Sequence, residues 1–133
     1  MRIVVGFDGS DHAQRALQRA AEMTGEGDEV VVVTAAELRA RIGITEGAHL
    51  DPSVTQHRHD AAEKARAFLS DRGIAAEVVE GQGDPGEAIV DVAKDADLII
   101  VGTRGLNPVQ RIMIGSVSSK VVHRAECDVL VVR

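Results

Sequence analysis

Five short apolar runs punctuate this chain: RIVVGF (2–7), EVVVVT (29–34), IAAEVVE (74–80), DLIIVG (97–102) and CDVLVVR (127–133). Between them lie stretches whose apolar residues recur every three to four positions. Short β-branched runs bounded by Gly, Asp and Pro read as strands, and the longer periodic stretches as amphipathic helices. EVVVVT has no polar alternation, so both of its faces are buried, as in a parallel sheet covered on two sides. Strands that alternate with helices need right-handed crossovers, and these put helices on both faces of one sheet. The expected fold is therefore a single doubly wound α/β domain over residues 1–133.

Local signals give the boundaries. DGS after the first run is a turn, and Ser10 is suited to cap a helix reaching to about Met23, with Ala13, Ala16, Leu17, Ala20 and Ala21 on one face. Gly25 and Gly27 end it. Pro52-Ser53 begins a second helix with Val54, Ala61, Ala65, Phe68 and Leu69 as its stripe, and Gly73 ends it. In GDPGEAIV, Asp84 is an N-cap, Pro85 falls at the first helical position, and Glu87 stands where a capping-box carboxylate belongs. A last helix runs from Ser116, itself the expected N-cap, to Ala125, with Val117, Val121 and Val122 facing inward. The least regular part, Ala35 to Pro52, is long enough to fold over a ligand as a lid.

Composition removes several function classes. The formal net charge is −6, and there is no Trp, no Tyr and only two Phe. A chain without a basic block or aromatic platforms is not built to hold nucleic acid. No apolar run approaches the ~20 residues that span a bilayer. A single cysteine, Cys127, allows no internal disulfide and fits a reducing cytoplasm. It has no CxxC partner, so an inert core thiol is expected. His57 and His59 stand two apart on a helix, where they point to different sides, so a solvated face is expected there rather than a metal site.

In open parallel sheets, ligands bind beyond the carboxyl ends of the strands, where the strand order reverses. Two such loops stand out. Asp8-Gly9-Ser10 follows the first strand, and Gly102-Thr103-Arg104-Gly105 follows the fourth. Beyond a nine-residue spacer from Gly105 come Gly115 and Ser116, at a helix start. Gly102 and Gly105 lack Cβ, so backbone N–H groups there can approach an anion closely. The helix start adds unpaired N–H groups and a dipole that attracts negative charge. Ser116 and Ser118 can add hydroxyl donors. Phosphates would lie between the two glycine ends, with Asp8 opposite, bonding a nucleoside or holding a metal ion that bridges phosphates.

The motifs VVGFDGS, GDPGEAI and Gly102-x2-Gly105-x9-Gly115-Ser116, followed by CDVLVVR, resemble the universal stress protein (UspA) family over essentially the whole chain. The resemblance implies an adenine-nucleotide alpha-hydrolase-like fold, a five-stranded parallel sheet of order 3-2-1-4-5. The glycine pattern is that of the family's ATP-binding branch. By position, Gly6, Phe7 and Asp8 would contact the nucleoside, and Ala35 the adenine. Val101, Gly102 and Gly105 would line the ribose and phosphates, and Gly115, Ser116, Val117 and Ser118 would close around the phosphate chain. The resemblance further implies ATP as ligand, with Mg through its phosphates, and a homodimer through the last strand, Cys127 to Val132. An apolar edge strand agrees with that, because it is hazardous unless paired or covered. Asp128 departs from the family, which often has Pro there. Asn107-Pro108 should stiffen the spacer, and Arg104 and Arg111 are within reach of phosphates or water.

Other readings fit less well. A phospho-receiver needs a phosphorylatable Asp after the third strand and a Lys after the fifth; here stand GQGDP and Arg133. A small ligase or nucleotidyltransferase needs HxGH or an SGGxDS-like loop, and FDGSDH is neither. There is no GxxxxGK[ST] loop and no GxSxG elbow, and no residue is marked as a general base. The reading is a nucleotide-dependent regulatory protein that binds ATP rather than turning it over rapidly. Its alternatives are a nucleotide-free dimeric scaffold or a slow Mg-dependent ATPase.

Overall fold

Five strands, β1 (Arg2–Gly6), β2 (Glu29–Thr34), β3 (Ala76–Glu80), β4 (Leu98–Gly102) and β5 (Asp128–Val132), form one parallel sheet of order β3-β2-β1-β4-β5. The computed structural model describes residues 1–35, 52–103 and 115–133. Among the described residues, four α-helices connect the strands: α1 (Asp11–Met23), α2 (Pro52–Ser70), α3 (Pro85–Val92) and α4 (Ser116–Arg124). The lid expected over Ala35 to Pro52, and with it most of that segment, lies outside the described residues. So do Arg104, Gly105, Asn107, Pro108 and Arg111.

Alternation along the strands divides the core into two layers. Ile3, Val5, Val30, Val32 and Ile100 face α1 and α2, where Ala16, Leu17, Ala65 and Leu69 cover them. Val4, Val31, Val33, Ile99 and Val101 face the other way, onto Ile89 and Val121 of α3 and α4. The small Ala residues of α1 and α2 let those helices lie close on the Val-rich sheet.

Helix ends follow the local chemistry in most places. Ser10 is the N-cap of α1, and its side chain accepts from the Ala13 amide at 3.2 Å. Gly73, at φ +72°, closes α2, with the Ile74 amide donating to the Leu69 carbonyl at 3.0 Å. That six-to-one closure uses Ile74 and Ala75 as the helix exit, so β3 begins at Ala76 rather than at Ile74. Asp84 caps α3, with Pro85 first in the helix.

Three expectations are corrected. Glu87 does not complete a capping box; its carboxylate accepts from Arg124 Nη1 of α4 at 2.9 Å, because the neighbouring helix offers a cation. The N-cap of α4 is Gly115, so Ser116 is the first helical residue, and no side chain caps this helix. Val122 is 43% exposed rather than inward, since the sheet-facing line of α4 runs through Val117 and Val121.

Asp84 joins α3 to α4. One of its oxygens accepts from the Glu87 amide at 3.0 Å and the other from Lys120 Nζ at 2.7 Å. The Lys120 stem lies over Gly86, where an added Cβ would stand 2.9 Å from Lys120 Cδ. The Lys120 ammonium, then the Glu87 amide, hold the Asp84 carboxyl below its ordinary 3.8. A carboxyl lowered on folding contributes stability above its ordinary value, and the contribution is lost as pH falls through the folded value. Replacing Asp84 by Ala is expected to cost about 1 kcal/mol, mostly through the lost cap, since the ion pair is exposed. Urea unfolding at pH 7 and at pH 3 checks this: the difference from wild type should shrink at the lower pH.

Candidate functional site

The switch point lies between β1 and β4, which pair directly through Ile3 and Leu98, Val4 and Ile99, and Val5 and Ile100. From β1 the chain moves through β2 to β3 on one side, and β4 and β5 lie on the other. The carboxyl ends of β1 and β4 therefore lie side by side, which is where the sequence puts the expected crevice.

On the β1 side, Phe7 is almost fully buried in the α1/α2 layer, and its amide donates to the Val33 carbonyl at 2.9 Å. Gly6 faces the opposite layer, where a Cβ would stand 2.7 Å from Ile89 Cδ1 and 3.2 Å from Val101 Cγ1. Val101 is buried in that same layer. Gly6, Phe7 and Val101 are thus core positions, and what they present to the crevice is backbone. Asp8 is half-buried and accepts from the Ser10 amide at 2.9 Å, forming the Asx turn that leads into α1, with Gly9 at φ +82°. Ala35, one residue past β2, is 8% exposed and lies beside Gly81.

Gly102 is the joint of the site. On one side, a Cβ built on it would stand 2.5 Å from the carbonyl carbon of His12, in the first turn of α1. On the other, its carbonyl accepts from Ser118 Oγ, in the first turn of α4, at 2.6 Å. The starts of two helices, from opposite faces of the sheet, are brought together on this one residue. The sequence pattern points to Gly102 as a place of close approach, and in the structure the first thing that approaches it is α1. Ser118 is buried, and its one hydroxyl proton goes to Gly102 rather than outward.

The two helix starts differ in charge and in capping. That of α1 carries Asp8 and Asp11 and is capped by Ser10. That of α4 carries no acidic residue and has no side-chain cap, with Ser116 exposed and Val117 half-buried. Uncapped N–H groups and the dipole of α4 suit an anion, whereas the start of α1 suits hydroxyls, amines or a cation. Gly115 precedes these amides at φ −61° and ψ 163°.

Two residues were not marked by the sequence as parts of this region. His12 is recognisable only through its contact with Gly102, which no local pattern announces. Arg58 stands between His57 and His59 in sequence, but its Nη1 donates to the Gly81 carbonyl at 2.8 Å and its Nε lies 3.9 Å from Glu80 Oε1. It ties α2 to the end of β3, while His57 and His59 are exposed. Burial raises the Cys127 thiol above its ordinary value. Among the described residues, no three His, Cys, Asp or Glu side chains gather as a metal site, and no helix is long and apolar enough to cross a membrane.

Comparison with known proteins agrees with this architecture. The universal stress protein family matches over residues 1–133. A universal stress protein of Thermus aquaticus is 40% identical over 136 residues, covering 98% of this chain and 97% of the relative. Among solved structures, a universal stress protein in complex with cAMP has a TM-score of 0.75 at 26% identity, covering 100% of this chain and 97% of that one. The universal stress protein from Archaeoglobus fulgidus in complex with dAMP has a TM-score of 0.72 at 28% identity, covering 100% and 98%. By sequence over its full length, and by a shared α/β architecture, the chain belongs to the universal stress protein family.

Proposed function

We propose that this protein binds an adenine nucleotide, ATP by preference, in the crevice between β1 and β4, and acts as a nucleotide-dependent regulatory protein in the stress response. The observation that carries the reading is the meeting of two unlike helix starts at Gly102. The uncapped start of α4 would hold phosphate through the amides of Ser116 and Val117. Asp8 and the backbone of Gly6, Phe7 and Ala35 would hold the nucleoside, and Val101 and Gly102 would flank the ribose. Gly105 would complete the phosphate cradle. Ser118 would act by fixing α4 against β4. Mg would enter with the phosphates, with Asp8 as the carboxylate proposed to reach it. The structural relatives bound to cAMP and dAMP support an adenine nucleotide. The sequence marks no general base, so binding without rapid turnover is the proposed activity.

Isothermal titration of the purified protein with ATP and Mg²⁺ tests this, together with extraction of any carried nucleotide. Saturable heat at a stoichiometry of one per chain is expected. No heat with ATP, ADP or AMP, and no carried nucleotide, would leave the nucleotide-free scaffold as the better reading.

The chain would work as a homodimer through β5, in a cytoplasmic setting. The two sheet edges differ in a way that supports this. Edge strand β3 carries Glu77 and Glu80, charges that discourage pairing, whereas β5 after Asp128 is Val-Leu-Val-Val. Val122 of α4, the helix that packs against β5, is exposed as well. Val122→Glu is expected to leave the melting temperature of the protomer unchanged and to weaken the dimer about tenfold or more, as read by sedimentation.

A further inference from the structure

His12 is the second residue of α1, and its backbone carbonyl group and Cβ lie against Gly102. The residue is half-exposed, yet its Nδ1 is sealed from solvent, and no described residue hydrogen-bonds the ring. A buried N–H without an acceptor costs about 1–3 kcal/mol, and an unused lone pair is the better tolerated of the two vacancies. The proton of the neutral ring is therefore assigned to Nε2, so the remaining edge of His12 is an N–H donor with no partner among the described residues.

The surroundings say what such a donor is suited to. Asp8 and Asp11 are carboxylates, and the Ser10 hydroxyl accepts from Ala13. An anion held at the start of α4 lies across Gly102 from His12, since Gly102 touches both helix starts. His12 brings a hydrogen-bond donor to the acidic side of that crevice without adding another carboxylate.

We propose that His12 is a further binding residue of the nucleotide site, donating its Nε2–H to an oxygen of the phosphate next to the ribose. This rests on the nucleotide reading above. It gives His12 a role in discriminating a nucleoside monophosphate from the bare nucleoside, apart from any part its Cβ plays in packing on Gly102.

The test is calorimetric titration of wild type, His12→Ala, His12→Gln and His12→Asn with AMP and with adenosine, alongside thermal melts of each. His12→Ala should weaken AMP about tenfold and leave adenosine within about twofold. His12→Gln, whose amide N–H reaches the Nε2 position, should recover most of the AMP affinity. His12→Asn, whose amide reaches only the Nδ1 position, should not. An equal loss for AMP and adenosine, or undiminished AMP binding by His12→Ala, overturns the role of His12 and leaves the nucleotide reading standing. If wild type binds neither compound, both fall together.

Discussion

Replacing Gly102 by Ala is expected to lower the unfolding free energy by about 3 kcal/mol, at the upper end of what overpacking usually costs. The new methyl group would stand 2.5 Å from the carbonyl carbon of His12 and 2.9 Å from its Cβ. A backbone carbonyl in the first turn of a helix cannot turn aside, so α1 as a whole must lift from β4. Gly6→Ala makes the contrast. Its methyl would stand 2.7 Å from Ile89 Cδ1, the far end of a flexible side chain, and a change of rotamer relieves that contact for about 1 kcal/mol. Urea unfolding of the two variants beside wild type checks the pair. Equal midpoints for Gly102→Ala and wild type would mean that α1 does not press on this residue.

Gly115→Val should do the reverse: an intact fold and a loss of nucleotide binding. The backbone of Gly115, at φ −61° and ψ 163°, is extended and open to a β-branched residue, so little stability is at stake. Its position immediately before the first amides of α4, those of Ser116 and Val117, puts an isopropyl group where phosphate oxygens would approach. Affinity for ATP is expected to fall by about a hundredfold, or about 2.7 kcal/mol, with an unchanged melting temperature in the absence of ligand. Titration and a thermal melt on the same sample separate the two effects. Retained affinity would mean that the phosphates do not rest on the start of α4.

The expected elements are legible in the chain wherever the signal is local. The Val-rich runs became strands, Ser10 and Asp84 became caps, and Gly73 closed its helix at positive φ. Errors arose where a long-range partner competed with a local rule. Glu87 had a capping-box place in sequence but an Arg124 partner in space, and a charged partner on the next helix won. Arg58 sits between two exposed histidines in sequence, yet it is drawn inward by the Gly81 carbonyl just past β3, which accepts from its guanidinium. Ser116 was misjudged by one position because Gly115, without a side-chain oxygen, can still take the extended conformation that begins a helix.

The sequence alone determined the alternation of strands and helices, and with it the parallel sheet, because hydrophobic period and turn chemistry act over a few residues. It also marked Asp8, Gly102, Gly115 and Ser116, by their places just after strands or at a helix start. Only the tertiary structure decided that Gly102 is pressed by His12 on one face and held by Ser118 on the other. Those contacts join residues on different connections, and which groups meet there depends on how α1 and α4 pack across the sheet rather than on any spacing along the chain.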